Sequence, residues 1–440
     1  MLRRLLRALL HLLPEELAVR IVQFWRLRRY WLSVLKYKFS ASRSVIRYLS
    51  DDSVYWVDPR KIIFAMNSEG FYQTTPPPEN QVNWEFRVSE YHGRVMGGDW
   101  DTLKRKFSEL DFYRSYAERA LRGTSWEQLP YYQRVLRQIN NGTEKWGCKS
   151  KQDLDERCRK LDIIFNDIKQ NGYKSRRLQR KEKGKDSLFD EVDEIGVNIG
   201  RHGDLIFNNG RHRLTFAKIL GIELVPVRIT VRHSGWEEFV KEIEQYIQKN
   251  DGRVHAPLTH IGLQHITAHH DDEKFEMIRR SIGEGNSTLL DTKARWGYFC
   301  HRFEESGFQC TAVENDPENR YFLQKLRRAE NKEFTVIPES IFTFCDRGPL
   351  QYDIVLALDI FHDLLNEEVC LEDWTRLLNS LDMNEMYLGL NADTGMQREG
   401  ARVSLSPEEV VNLALDNSCL NSCQLLGKDE EGKALYKLWR

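Results

Sequence analysis

The sequence predicts an α/β protein in two parts: a small α+β domain carrying helical insertions, then a doubly wound parallel sheet closed by a terminal β-hairpin. Three observations carry this reading. Residues 287–440 alternate short apolar strand patterns with helical ones, as a parallel sheet requires. Residues 195–233 compress a hairpin, a helix and a strand into about forty positions. The tail SCQLLGKDEEGKALYKLWR, residues 422–440, reads as two strands around a turn. With 440 residues, 41% of them hydrophobic and 30% charged, the chain has apolar material for two or three cores.

The first fifty residues stand apart. They hold eleven Lys and Arg against Glu15 and Glu16, a local +9 that leaves −10 for the remainder of a chain whose formal net charge is −1. Leu2, Leu5, Leu6, Leu9, Leu10 and Leu13 fall on one helical face, with Arg3, Arg4, Arg7 and His11 largely off it. Arg20, Arg26, Arg28 and Arg29 interrupt the aromatic stretch that follows, so no run reaches the ~20 apolar residues of a bilayer span. No small-residue cleavage site follows to suggest a secretory signal. A basic amphipathic helical arm over 1–50, lying on an anionic membrane face, is one expectation, and a helix packed on its own domain or on a partner is the other. An organellar presequence is a third. The eight cysteines show no zinc or disulfide spacing, which predicts reduced thiols in an intracellular compartment, and together with the basic arm the expectation is a cytoplasmic protein peripheral on the membrane surface.

Residues 51–65 read as a loop entering a strand, and TTPPPENQ at 74–81 as a loop. From about 100 to 185 the pattern is helical, ending in the charged run 174–186, which suits a solvated surface or a polyanion contact. Residues 251–286 are expected to be a polar connector. Five of the twelve histidines fall there, at 255, 260, 265, 269 and 270, but without metal-ligand spacing, and no metal is expected.

Within 195–233, Gly203 and Asp204 form one turn and Asn208, Asn209 and Gly210 a second, after which a helix runs from Arg211 to Leu220 and stops at Gly221. Its amino terminus, flanked by Arg211 and Arg213, is suited to phosphate. Gly210, Arg213 and Ala217 fit the Gly-x-x-Arg-x-x-Ala box of ParB-like proteins, and Gly221 with Val225-Pro226-Val227 resembles that family's ending. Gly210, His212 and Arg213 also resemble the Gly-x-His-Arg element of sulfiredoxins. The cysteine between Gly and His is Arg211 here, so sulfinic acid reduction is not implied. The ParB/sulfiredoxin resemblance, taken over residues 51–250, implies binding of ATP or CTP with magnesium through Asp204, Asn209, Gly210, Arg211, His212 and Arg213. Phosphoryl transfer would need an acid nearby, for which Asp58, Asp99 and Asp101 are candidates beside Asp204, while turn chemistry explains Asp after Gly equally well.

In the carboxy-terminal part, Thr288–Asp291 reads as a buried strand ending in an acid, and Glu314 ends the next strand 23 positions later, where an acid reaches ribose hydroxyls. FTVIP, YDIVLALD (with Asp353 and Asp359) and MYLGLN supply three further strands, and Ser406-Pro407-Glu408-Glu409 opens a helix with a capping box. This arrangement over 287–440 resembles the Rossmann-like class I S-adenosylmethionine-dependent methyltransferases. Asp291 and Gly297 match the ends of that family's Asp-x-Gly-x-x-x-Gly loop, with Lys293 in place of its first glycine and Arg295 also intruding. The resemblance implies S-adenosylmethionine held by Asp291, Lys293, Gly297, Glu314, Ser340, Ile341 and Asp359. His362 is a candidate general base, or a helix-start histidine facing solvent.

These expectations converge on a membrane-surface modifying enzyme whose acceptor is a glycan or lipid-linked saccharide. A regulatory pseudo-methyltransferase is the alternative that Lys293 raises. A nucleic-acid protein is disfavoured: no helix-turn-helix follows the 210–217 box, the body is acidic, and no Asn/Asp-Pro-Pro-aromatic motif follows the fourth strand.

Overall fold

The computed structural model describes residues 54–66, 93–102, 104–175, 194–250, 254, 258–266, 272–283, 287–358, 371–390, 406–429 and 432–440. The arm 1–50, Asp359 and His362 lie outside the described residues. The chain divides into two compact units between Lys241 and Glu242.

The first unit opens with four three-residue strands, β1 (Tyr55–Val57), β2 (Phe64–Met66), β3 (Arg94–Met96) and β4 (Lys104–Lys106). Helices α1 (Asp111–Arg122), α2 (Pro130–Asn140) and α3 (Lys151–Asn171) follow. Next come β5 (Ile195–Ile199), β6 (Leu205–Asn209), α4 (Arg211–Ile219) and β7 (Val225–His233), and α5 (Ser234–Lys249) carries the chain across the division. The mixed sheet runs β1-β7-β5-β6-β2-β4, with β3 also beside β7. Every residue of β5 and β7 is buried, the polar Asn198, Arg228, Thr230 and Arg232 included, while the Lys-Arg-Lys of β4 suits an edge. The expectation of helix from about residue 100 is corrected here, because 104–106 pair antiparallel with β2 and the helices begin at Asp111. Phe112, Tyr116, Trp126, Tyr131 and Tyr132 pack around Phe216 of α4, giving the aromatic-rich insertion a core of its own. The α3 start is fixed by Ser150 and Asp153, each accepting a backbone amide of the other's position.

The second unit contains α6 (Asp272–Ser281), β8 (Thr288–Asp291), α7 (Tyr298–Glu305), β9 (Gln309–Val313), α8 (Pro317–Ala329), β10 (Thr335–Ile337) and α9 (Ile341–Cys345). It continues with β11 (Leu350–Ala357), α10 (Leu371–Ser380), β12 (Leu381–Leu390), α11 (Pro407–Asp416), β13 (Ser422–Lys428) and β14 (Ala434–Trp439). The sheet order is β10-β9-β8-β11-β12-β14-β13, parallel through β12 and antiparallel in the final hairpin. This is the doubly wound, Rossmann-like sheet with a terminal hairpin that the sequence predicts.

Alternation along each strand sends neighbours to opposite faces. Leu290, Val355 and Leu388 meet Trp374, Leu377 and Val411 on one side, whereas Leu289, Leu356 and Tyr387 meet Phe275, Phe299 and Phe303 on the other. Both faces are therefore covered by helices. Phe275 and Ile278 belong to α6, so residues 272–281 are part of this core, and the expectation of a polar connector through 286 is corrected. Among the described residues no helix is long and apolar enough to cross a membrane.

Candidate functional site

In a doubly wound sheet, ligands meet the carboxyl ends of the strands where the order reverses, here around β8, β9 and β11. β8 ends on Asp291, which is buried and accepts the Lys293 amide at 3.4 Å. Thr292 then donates both its amide (3.1 Å) and its hydroxyl (2.8 Å) to the Leu356 carbonyl of β11, and Ala294 N–H donates to Val313 of β9 at 2.9 Å. The loop is thus stitched to the strands on either side. Gly297 caps α7 at φ 83°, a conformation that strains any residue with a side chain, and a Cβ there would lie 3.3 Å from Leu323 and 3.4 Å from Phe334, so close that a neighbour would have to shift. Arg295 takes a left-handed conformation at φ 50°, uncommon for a residue with a side chain.

Glu314 follows β9 and is 2% exposed. Its Oε1 accepts the Asp316 amide at 2.8 Å and the Arg295 amide also faces the carboxyl, whereas its buried Oε2 has no hydrogen-bond partner among the described residues. Burial, with the charge of Asp316, pushes its pKa above the ordinary value against the pull of the two amides and Lys293. An acceptor left unsatisfied inside a protein is costly and calls for a donor. Paired hydroxyl donors on a ribose meet that need, so the residues present fit the nucleoside part of S-adenosylmethionine. Beside this carboxyl lies a cavity of about 220 Å³ lined by Tyr246, Lys293, Arg295, Trp296 and Asn319. Trp296 stacks on Phe322 at 4.1 Å and donates its indole N–H to Asn319 Oδ1 at 3.2 Å, which fixes both.

The adenine-side expectation divides. Ser340 caps α9 by accepting the Thr343 amide at 3.1 Å, and Ile341 is 3% exposed within the core, so its side chain is corrected from a lining residue to a packing one. Asp353 binds the amide and hydroxyl of Thr288 at the opposite ends of the strands, away from the site. Tyr246 and Asn319 were not foreseen, because neither stands in a local motif.

In the first unit the sequence candidates fall in three places. Asn209 Oδ1 accepts the Gly210 amide at 2.7 Å, and Gly210, at φ 88°, caps α4 with its Cα so close to β5 that a Cβ would lie 3.1 Å from Ile195. Arg213 reaches buried Glu194 at 3.2 Å. His212 packs edge-on against Phe112 at 4.6 Å, and burial together with the charges of Arg157, Arg211 and Arg213 pushes its pKa down to about 3. It is a neutral packing ring rather than the phosphate-facing group expected.

Asp101 and Asp204 lie together at the far end of β6. Both would approach a Cβ at Gly200, at 3.3 and 3.5 Å, whereas Gly210 follows the other end of that five-residue strand, about 17 Å away at ~3.3 Å per residue. Asp101, 3% exposed, accepts the Arg201 amide at 2.8 Å and the Arg201 guanidinium at 2.7 Å, and Arg201 also reaches Asp99 at 2.9 Å. His233 accepts the Gly235 amide on Nδ1 at 2.9 Å and its Nε2 meets Gly98 O at 2.8 Å, so the proton sits on Nε2 and points at the backbone. Asp204 pairs with Lys104. Asp58 caps the short turn Pro59–Lys61, binds Arg60, and its charge reaches Lys218 near the carboxyl end of α4. The expectation that Asp58, Asp99, Asp101 or Asp204 serves a phosphate at Gly210–Arg213 is therefore corrected: they are placed elsewhere and engaged in fold contacts. With the candidate acids held elsewhere, the residues at this loop do not fit magnesium.

The His212 environment has a pH consequence. Below pH 6.5 the unfolded ring takes up a proton that the folded ring refuses until about pH 3, so stability of this unit falls across that interval. His212→Gln is expected to move the acid-unfolding midpoint to lower pH in circular dichroism. An unchanged midpoint would show that the ring is not kept neutral by its surroundings.

Of the connector histidines, His260 accepts the Gly262 amide at 3.0 Å and His265 lies 3.6 Å from Glu244. No cluster of three metal-capable side chains occurs among the described residues.

No family model and no curated relative matches the chain. Among solved structures, the bifunctional kinase-methyltransferase WbdD is matched at 14% identity and TM-score 0.35, over 42% of this chain and 43% of that one. Monomeric WbdD is matched at 17% identity and TM-score 0.31, over 38% and 39%. The N-methyltransferase NodS from Bradyrhizobium japonicum is matched at 13% identity and TM-score 0.31, over 39% of this chain and 96% of that one. The chain spans about two fifths of the WbdD structures it matches.

Proposed function

We propose that residues 242–440 bind S-adenosylmethionine and act as a methyltransferase, with Glu314 accepting the ribose hydroxyls. The observation that carries this reading is the buried, unpartnered Oε2 of Glu314 at the carboxyl end of β9. Asp291 and the stitched loop to Gly297 border the same ground and would hold the methionine part. Bound there, S-adenosylmethionine supplies an electrophilic methyl group. The protein's own contribution is to orient the nucleoside and keep water from the Glu314 carboxyl.

For the first unit we propose phosphate binding of ATP or CTP at the α4 amino terminus, supported by the glycine cap and the neighbouring Arg211 and Arg213. A glycan or lipid-linked saccharide at an anionic membrane face remains the proposed acceptor, supported by the charge of residues 1–50. The pseudo-methyltransferase reading is favoured by one feature, the side chains of Lys293 and Arg295 where a glycine loop would be bare.

Calorimetry on the full chain with S-adenosylhomocysteine tests the central reading. Glu314→Ala is expected to weaken binding roughly 30-fold, the equivalent of about 2 kcal/mol for hydrogen bonds to a charged group. Equal binding by both proteins would refute it. Transfer of labelled methyl from S-adenosylmethionine to a lipid-linked saccharide extract separates the enzyme from the pseudoenzyme, which binds without transfer.

A further inference from the structure

We infer that Asn198 and Thr230, on the face of the first unit's sheet turned away from α4, recognise the base of a nucleotide whose phosphates sit at the α4 amino terminus. This rests on the reading of that terminus as a phosphate site. The ligand chemistry is a planar base edge that presents a hydrogen-bond donor beside an acceptor.

Both side chains are buried without partners. Asn198 of β5 and Thr230 of β7 are each 0% exposed, and Asn198 Oδ1, Asn198 Nδ2 and Thr230 Oγ1 have no hydrogen-bond partner among the described residues. An amide offers one acceptor and a pair of donors, and a hydroxyl offers both. Groups left unmet inside a protein cost stability that leucine and valine in the same places would not, so their retention points to a ligand.

Their placement joins them to the turn before α4. Neighbours along a strand face opposite sides of the sheet. Val197 stands beside Phe207, which meets Phe107 beneath Lys218 of α4, so α4 covers the Val197 face and Gly196 and Asn198 look the other way. A Cβ on Gly196 would lie 3.4 Å from Thr230 Oγ1 and 3.3 Å from Asn209 Cβ. The hydroxyl therefore shares the Gly196 face and lies one side chain's width from Asn209, which is exposed. Asn209 in turn accepts the amide of Gly210, the cap of α4. Asn198 pairs with Ile206, four residues before Gly210, which is about 13 Å of strand at ~3.3 Å per residue. That is the reach of one nucleotide from its phosphates to its base. Further along, Met66, Trp100, Ile206 and Val231 close the face with apolar surface. Phosphates at the α4 terminus and a base beside Asn198 are thus joined around the end of β6, past a glycine that leaves out the side chain which would stand between them.

The test uses full-length Asn198→Leu and Thr230→Val, each close in shape to the residue it replaces. Tripolyphosphate, ATP, CTP, GTP and UTP are titrated calorimetrically into the parent and both variants, and the free proteins are melted. The parent is expected to rank the four nucleotides. Both variants should bind tripolyphosphate as the parent does and lose roughly tenfold in affinity for the preferred nucleotide, the effect of one or two hydrogen bonds. Asn198→Leu should also melt above the parent, because the unmet amide is gone. If the order and affinities of the nucleotides are unchanged in both variants, or tripolyphosphate weakens equally, the proposal is overturned. Equal losses for all four nucleotides would place the contact on the ribose and overturn the base assignment. Failure of the underlying reading looks different: the parent itself would then bind neither tripolyphosphate nor any nucleotide, and the base site would fall with it.

Discussion

Asp101→Asn is expected to destabilise the first unit by roughly 3 kcal/mol, the usual cost of breaking a buried, multiply bonded ion pair from one side. Both carboxylate oxygens are used: Oδ2 by the Arg201 amide and Nε, Oδ1 by Nε and Nη2, with His233 Nε2 at 3.9 Å. Together they tie the 97–101 loop to the β5–β6 turn and the end of β7. Burial raises the Asp101 pKa, but the hydrogen bonds and charge of Arg201 outweigh it and hold the carboxyl below its ordinary value. A depressed carboxylate contributes stability above pH 3.8 that disappears as pH falls through the folded pKa. The deficit of the variant is therefore full at neutral pH and closes in acid. Asp99, 84% exposed at its side chain, makes only the outer contact to Arg201, so Asp99→Asn should be nearly silent. Urea unfolding followed by hydrogen exchange in β5 and β6 distinguishes the two. Equal midpoints for Asp101→Asn and the parent would remove Asp101 from this structural position.

Glu314→Gln is expected to do two opposed things, weakening nucleoside binding while raising the melting temperature of the free protein at neutral pH. Its folded pKa is raised, so the folded state binds the proton more tightly than the unfolded chain. The carboxyl is favourable to folding below pH 4.5, and that contribution is lost as pH climbs through the folded value, leaving a buried charge. Glutamine removes the penalty, worth about 2–4 °C for each kcal/mol relieved in a unit of this size. The gain should shrink towards zero as pH is lowered to 4.5. A residue whose removal stabilises the fold is retained for another purpose, as functional sites generally require.

Much of the second unit was legible in sequence because its strands are buried on both faces and read as unbroken apolar runs, such as Leu289-Leu290 and Ile354 to Ala357. Glu314 could be found because its distance from Asp291 along the chain is set by one strand-helix-strand repeat. β3 and β4 could not, since three residues such as Lys-Arg-Lys carry no period and depend on pairing with β7 and β2. α6 was hidden by its charge: only Phe275, Met277 and Ile278 mark its buried face. The acids of the first unit misled for a related reason. Asp101 looks like a site beside Gly97 and Gly98, and only the fold reveals that its partner is an arginine 100 residues later. Tyr246 and Asn319 likewise reach the cavity from separate helices.

The most direct check is proton release on binding. Calorimetric titration of S-adenosylhomocysteine between pH 5 and 7, in buffers of different ionisation enthalpy, counts the protons exchanged. Ribose hydroxyls donating to Glu314 favour its charged form, so the parent protein should release protons and Glu314→Gln should release none. Identical proton exchange in the two proteins would contradict the assignment of Glu314 as the nucleoside's acceptor.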